Sequence, residues 1–186
     1  LNDPKFDCNK SLIVYAYYKS LNSPISNKIE KYMQKHSKSI NFDYIFPDGS
    51  TIFTAIIDKA KKGQNSSQRS LNTSSVINTI NFLCENGADP NKPNKQGKYP
   101  LEISMNSQTD SMNAISIALI NTNKIDLSIK LNTNNDDKFT RYSFDDKNTH
   151  SNQYYIHVAA SINDSSILDC MMKNKSVDIN IPDSDG

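Results

Sequence analysis

Residues 75–104 constrain this chain more than any other stretch. They read S-V-I-N-T-I-N-F-L-C-E-N-G-A-D-P-N-K-P-N-K-Q-G-K-Y-P-L-E-I-S. Val76, Ile77, Ile80, Leu83 and Cys84 recur at helical spacing and make one apolar face. Asn86-Gly87 then ends the helix, because glycine enters the left-handed region that a helix C-terminus needs. A polar run follows, then Gly97-Lys98-Tyr99-Pro100-Leu101, where proline suits the first turn of a new helix. One short amphipathic helix, a tight turn, a polar loop and another helix start leave apolar faces that no single helix buries. Such a pattern asks for repetition.

The pattern recurs. Residues 86–104 resemble the joint between two ankyrin repeats, and aligned on the Thr position of that motif the units fall at Ser11, Thr51, Tyr99 and Tyr154, spaced by 40, 48 and 55 residues. The first unit opens at Asp7-Cys8-Asn9-Lys10-Ser11-Leu12-Ile13-Val14-Tyr15-Ala16, and its first helix is expected to run to about Leu21. Its second helix is expected to start at Ser23-Pro24, with Ile25, Ile29, Tyr32 and Met33 on one face. The second unit opens at Asp48-Gly49-Ser50-Thr51, and Gly63 closes its first helix. The third opens at Gly97 and continues through Met112–Ile120 to Ile125-Asp126-Leu127-Ser128. The fourth reads Asn152 to Gly186, with a second helix over 166–173 and a Val177-Asp178-Ile179-Asn180 close. The residues in excess of a regular period fall in loops, at 64–73 and 129–150, and never inside a helix pattern.

The strings NGADPN, G-K-Y-P-L, D-G-S-T and V-D-I-N resemble the joints of ankyrin repeats. The resemblance implies an all-α ankyrin-repeat solenoid: one domain over 1–186, of about four helix-turn-helix repeats with finger loops. The repeats are placed at about 1–41, 42–91, 92–128 and 151–181, with the two insertions between their parts. Gly49, Thr51, Gly87, Gly97, Pro100 and His157 fall on motif positions. The family's Thr and His hydrogen-bond locally and join neighbouring loops. Only His157 carries that His here; Val14, Thr54 and Glu102 stand in its place, and Tyr99 and Tyr154 replace Thr, which implies a stability below that of a consensus array. Both ends fall in finger loops, so a longer array is expected.

Formal net charge is +1, from 21 basic and 20 acidic side chains, which argues against a nucleic-acid field. No apolar run is long enough for a membrane helix, and the start lacks the features of a signal peptide. Cys8, Cys84 and Cys170 have no paired spacing, which points to a reducing compartment and a cytoplasmic protein. Cys84 and Cys170 are expected as buried small hydrophobes on equivalent helix faces. Cys8 has no base placed beside it. His36, His150 and His157 lack metal-ligand spacing, and Asp43, Asp48, Asp136, Asp137, Asp145 and Asp146 lack a calcium-loop frame and read as solvated loop carboxylates. Phosphate-loop and hydrolase motifs are missing. The expectation is a non-enzyme with no cofactor, metal or small-molecule substrate.

Ankyrin families bind proteins through first helices and fingers, so the resemblance implies a protein-interaction scaffold. Phe42, Tyr44, Phe46, Lys92, Asn94, Lys95 and Tyr155 are the expected binding residues. For finger 40–47 two readings stand: exposed aromatic anchors, or Phe42 and Ile45 packed back on the helices. The 129–150 finger reads as an extended hairpin or as a low-complexity insert rich in Asn and Asp. Tyr15-Ala16-Tyr17-Tyr18 reads as helix packing rather than a base-stacking platform. Two alternatives to a scaffold remain: a repeat region recruiting substrate to a catalytic domain elsewhere, and a spacer in a large array.

Overall fold

The computed structural model describes residues 7–63, 71–107, 109–132, 152–162, 164–174 and 177–182, and these are mostly helical. The chain forms two compact units, Leu1–Pro100 and Leu101–Gly186.

In the first unit, α1 (Asp7–Ser20) packs on α2 (Ser26–Lys35) and on α3 (Ile52–Gly63), and α3 packs on α4 (Thr73–Glu85). Val14, Tyr17, Met33, Phe53, Ile56, Ile80 and Leu83 fill the core between them. Tyr17 is fully buried and donates its hydroxyl to Glu30 Oε1 at 2.6 Å, tying α1 to α2. Burial, reinforced by Glu30, pushes that phenol above its ordinary range, so it stays a neutral donor. α4 starts where Asn72 Oδ1 accepts the Ser75 N–H at 2.7 Å. It ends at Gly87 with φ +98°, where Ala88 N–H reaches back to the Leu83 carbonyl at 3.0 Å.

α2 departs from the sequence reading. Ser23-Pro24 does not start it. The Ser23 carbonyl instead accepts both the Ser26 N–H at 3.1 Å and the Ser26 hydroxyl at 2.8 Å, so the chain turns there and the helix begins at Ser26. Ile25 is left outside the helix, 59% exposed, and Tyr32 is 53% exposed against the His36 ring. Of the expected face only Met33 is fully buried. α1 also begins at Asp7, five residues ahead of Leu12, the residue that follows the aligned Ser11.

In the second unit, α5 (Pro100–Met105) and α6 (Asp110–Asn121) are joined by a buried hydroxyl pair, Ser104 Oγ to Ser116 Oγ at 2.7 Å. Each hydroxyl also meets a carbonyl of its own helix, Leu101 or Met112, so neither is buried without a partner. Two strands follow, β1 (Lys130–Asn132) and β2 (Asn152–Tyr154), paired antiparallel with Leu131 opposite Gln153. Then come α7 (Tyr155–Ser161) and α8 (Ser165–Met172), with α8 packed on both α6 and α7. Asp164 caps α8 by accepting the Ser166 and Ile167 N–H groups, and its other oxygen meets Asn113 of α6. Cys84 is buried as expected, but Cys170 is only half-buried, and its thiol points at Asn121 Oδ1. The helix start at Ser165 turns Ile167 and Met171 to the core and leaves Cys170 at the edge.

The bracketing strands form a hairpin base for the 129–150 finger; the expectations for residues 133–151 lie outside the described residues. So do those for 64–70, for the side chain of Cys8, for His150, and for Asp136, Asp137, Asp145 and Asp146. Leu71 and Asn72 belong to the connection, Leu71 buried and Asn72 capping α4, while Thr73 is already the first residue of the helix.

Candidate interaction surface at the first finger

The finger joining α2 to α3 and the one joining α4 to α5 share the same opening turn and the same backbone bonds 48 positions apart, and differ in their closing turns, which Asp48 and Asn94 make. Asn41 Oδ1 accepts the Asp43 N–H, and Asp89 Oδ1 accepts the Asn91 N–H. Phe46 N–H donates to the Ser50 carbonyl at 2.8 Å, and Asn94 N–H to the Lys98 carbonyl at 3.0 Å. Gly49 N–H donates to the Phe46 carbonyl, and Gly97 N–H to the Asn94 carbonyl. Both glycines have positive φ, +88° and +76°. The cause is local: an Asx turn at each end and a glycine at the tight corner leave the backbone one way to close.

The third finger repeats the scheme with different residues. Asp126 Oδ1 accepts the Ser128 N–H at 3.0 Å, and the Leu131–Gln153 pair takes the place of Phe46–Ser50 and Asn94–Lys98. Asp178 Oδ1 accepts the Asn180 N–H at 2.9 Å, a fourth copy of the opening turn.

The first two fingers are also bonded to each other. Lys95 N–H donates to the Gly49 carbonyl at 2.8 Å, and Lys92 Nζ lies 3.5 Å from Asp43 Oδ2 in an exposed ion pair. A Cβ at Gly49 would stand 3.1 Å from carbons of the Lys95 side chain, a tight contact, and the positive φ there favours glycine.

This alignment corrects three of the expected binding residues. Phe46 is fully buried because it sits at the finger base, the place Leu131 fills in the third finger. Phe42 is buried, as are Pro90 and Leu127 at the matching places after the Asx residue, whereas Ile179 at the fourth copy is exposed. Tyr155 is buried because it is the first residue of its helix, the place of Ile52 and Pro100. None of the three is displayed as an anchor. Tyr44, Lys92 and Asn94 are half-exposed and Lys95 is exposed.

Of the motif positions, Thr51 and His157 show how a helix start is closed. Thr51 N–H donates to Thr54 Oγ1 at 2.9 Å while Thr54 N–H donates back to Thr51 Oγ1 at 3.3 Å, a reciprocal cap. In α7 the equivalent Tyr154 N–H donates to His157 Nδ1, which leaves Nε2 to donate to the Ile181 carbonyl at 2.9 Å. Thr54 thus performs the local half of the His157 role and is too short for the other half. Pro100 is buried at the first position of α5.

The sequence reading assigned Tyr15 and Tyr18 to packing. Both are half-buried, and with Tyr44 they surround buried Phe46, at ring distances of 5.0, 5.4 and 6.0 Å. Lys19 Nζ stands 5.0 Å from the Tyr15 ring and 5.4 Å from the Tyr18 ring; Lys59 Nζ of α3 is 5.3 Å from Tyr18. Burial raises the Tyr18 phenol, so its hydroxyl stays neutral. Burial, then the nearby Lys19 charge, lowers the Lys59 ammonium. Burial raises the half-buried Asp58 carboxyl, while bonds from Ser50 hold Asp48 low. A shallow groove of about 350 Å³ between Asn41, Asp43 and Asn86-Gly87 is open and of mixed polarity. Among the described residues no three metal-ligating side chains come together, and no helix is long and apolar enough to cross a membrane.

Comparison of the chain with models of known families, with curated proteins and with solved structures returned no match.

Proposed function

We propose that the chain is a non-catalytic protein-binding module built from divergent ankyrin-type repeats, and that fingers one and two with the tyrosine surface beside them receive the partner. The observation that carries this reading is the finger geometry, repeated with the same backbone bonds at 46/50 and 94/98 and the same pairing at 131/153. Four opening turns of one kind, reciprocal caps at N-cap and third helical positions, and paired helices support it further. A rigid backbone frame that holds variable side chains at its tips is suited to recognition, and half-exposed aromatic side chains supply contact area at low entropy cost. Cys84 and Cys170 form no disulfide among the described residues, which supports placing the chain in a reducing, cytoplasmic setting.

Hydrogen exchange tests the reading, followed at 40–49 and 91–98 with and without an extract of the source cells. Slowed exchange confined to these fingers is the expected result. Fingers unchanged by extract while the helices stay protected would favour a spacer, or a region serving a catalytic domain elsewhere.

A further inference from the structure

Two ammonium groups, Lys19 from α1 and Lys59 from α3, converge on the ring of Tyr18, and Lys19 also covers Tyr15. Among the described residues neither makes an ion pair with a carboxylate. A tyrosine face offers each cation only modest stabilisation, on the order of 1 kcal/mol at an exposed site. A carboxylate placed between two cations gains more, because charge-assisted bonds are the strong ones. The surface therefore holds two like charges beside an aromatic floor, with Asp48 and Asp58 nearby but neither paired directly to them.

We propose that this surface binds a protein segment presenting a single acidic side chain beside an apolar or aromatic one. The carboxylate bridges Lys19 and Lys59 over Tyr18, and its neighbour packs on Tyr15 and Tyr44 around Phe46. The inference rests on the reading of this face as a protein interface. Asp48 of the first finger and Asp58 of α3 lie within electrostatic reach of Tyr18, and Asp48 also acts on Lys19. They make a run of phosphates unwelcome and leave room for one anion, which favours an acidic peptide over a nucleic acid. Burial first and the Lys19 charge second lower the Lys59 ammonium, while the Tyr15 hydroxyl first raises that of Lys19.

Selection from a random twelve-residue peptide display library on the purified chain tests this. Expected are peptides that carry Asp or Glu next to Phe, Tyr, Leu or Ile. Replacing that acid by Asn or Gln, or joining Lys19→Gln with Lys59→Gln, should weaken binding by about tenfold. The charge-reversed pair Lys19→Glu and Lys59→Glu should redirect selection to Lys and Arg, an outcome that no loss of folding imitates. Circular dichroism checks that each variant is folded. Peptides that need Tyr15 and Tyr18 but show no acidic preference and ignore both lysine pairs would overturn this inference and leave the protein-interface reading intact. Peptides indifferent to Tyr15→Ala, Tyr18→Ala and Tyr44→Ala would overturn both. Binding of single-stranded DNA or RNA lost in Lys19→Gln with Lys59→Gln would overturn the acidic-segment proposal in favour of a nucleic acid.

Discussion

Gly49 and Gly87 look alike in sequence and differ in what surrounds them. Both have positive φ, so alanine at either strains the backbone by roughly 1–2 kcal/mol. Only at Gly49 does the added methyl also meet carbons of Lys95 at 3.1 Å; around Gly87 nothing lies within 4 Å. Gly49→Ala should therefore cost more than Gly87→Ala in a urea unfolding curve, by about 1 kcal/mol, within the usual cost of forcing extra bulk into a packed contact. Equal midpoints would mean that the first two fingers are not held together as described. Asp58 makes a second prediction at this scale. Burial raises its carboxyl above the unfolded value near 4, so the fold disfavours the ionised form. The unfolded chain loses this proton first, and stability falls as pH rises from about 4 through the raised folded value. Asp58→Asn should be more stable than the parent at pH 7, and the difference should vanish below pH 4. Thermal melts across that range check the sign.

The start of α3 depends on a short reciprocal cap. Thr54→Val keeps the shape, removes the acceptor of the Thr51 N–H and buries that donor unpaired. A loss of about 1–2 kcal/mol follows, and Thr54→Ser should recover most of it. Chemical denaturation of the three proteins measures it. Much of the element level was legible in the sequence. The 48-residue offset from Thr51 to Tyr99 is the same offset that relates the two sets of finger hydrogen bonds, because Asx residues, glycine and proline act locally. Helix faces were legible where a helix is covered, as on α4, and misread on α2, where periodicity marks a stripe without saying whether anything covers it. Phe42, Phe46 and Tyr155 were misplaced because aromatic content in a loop does not state which side faces inward. The matching Pro90 and Leu127 for Phe42, and Pro100 for Tyr155, held that signal, whereas Asn94, which matches Phe46, did not. The meeting of Tyr15, Tyr18, Tyr44, Lys19 and Lys59 was not legible, since it needs α1, α3 and the first finger packed together.

Across the whole molecule, the three fingers differ in length and agree in their base. Asn94 and Lys98 are bridged by three residues, whereas Leu131 and Gln153 are bridged by the entire segment between them. Replacing 132–152 by the tip Lys95-Gln96-Gly97 should leave the melting temperature equal or higher. Shortening a closed loop of about twenty residues to three lowers its closure entropy by on the order of 1–2 kcal/mol. A lower melting temperature would show that residues 132–152 stabilise the second unit beyond their paired ends.

The Leu131–Gln153 base has one more consequence. Paired antiparallel strands bring the two sides of a chain to within about 5 Å. Any segment attached there leaves and re-enters at nearly one point, so the host need only tolerate two neighbouring ends. A reporter domain with adjacent termini, spliced between Asn132 and Asn152, would find an anchorage already spaced for it.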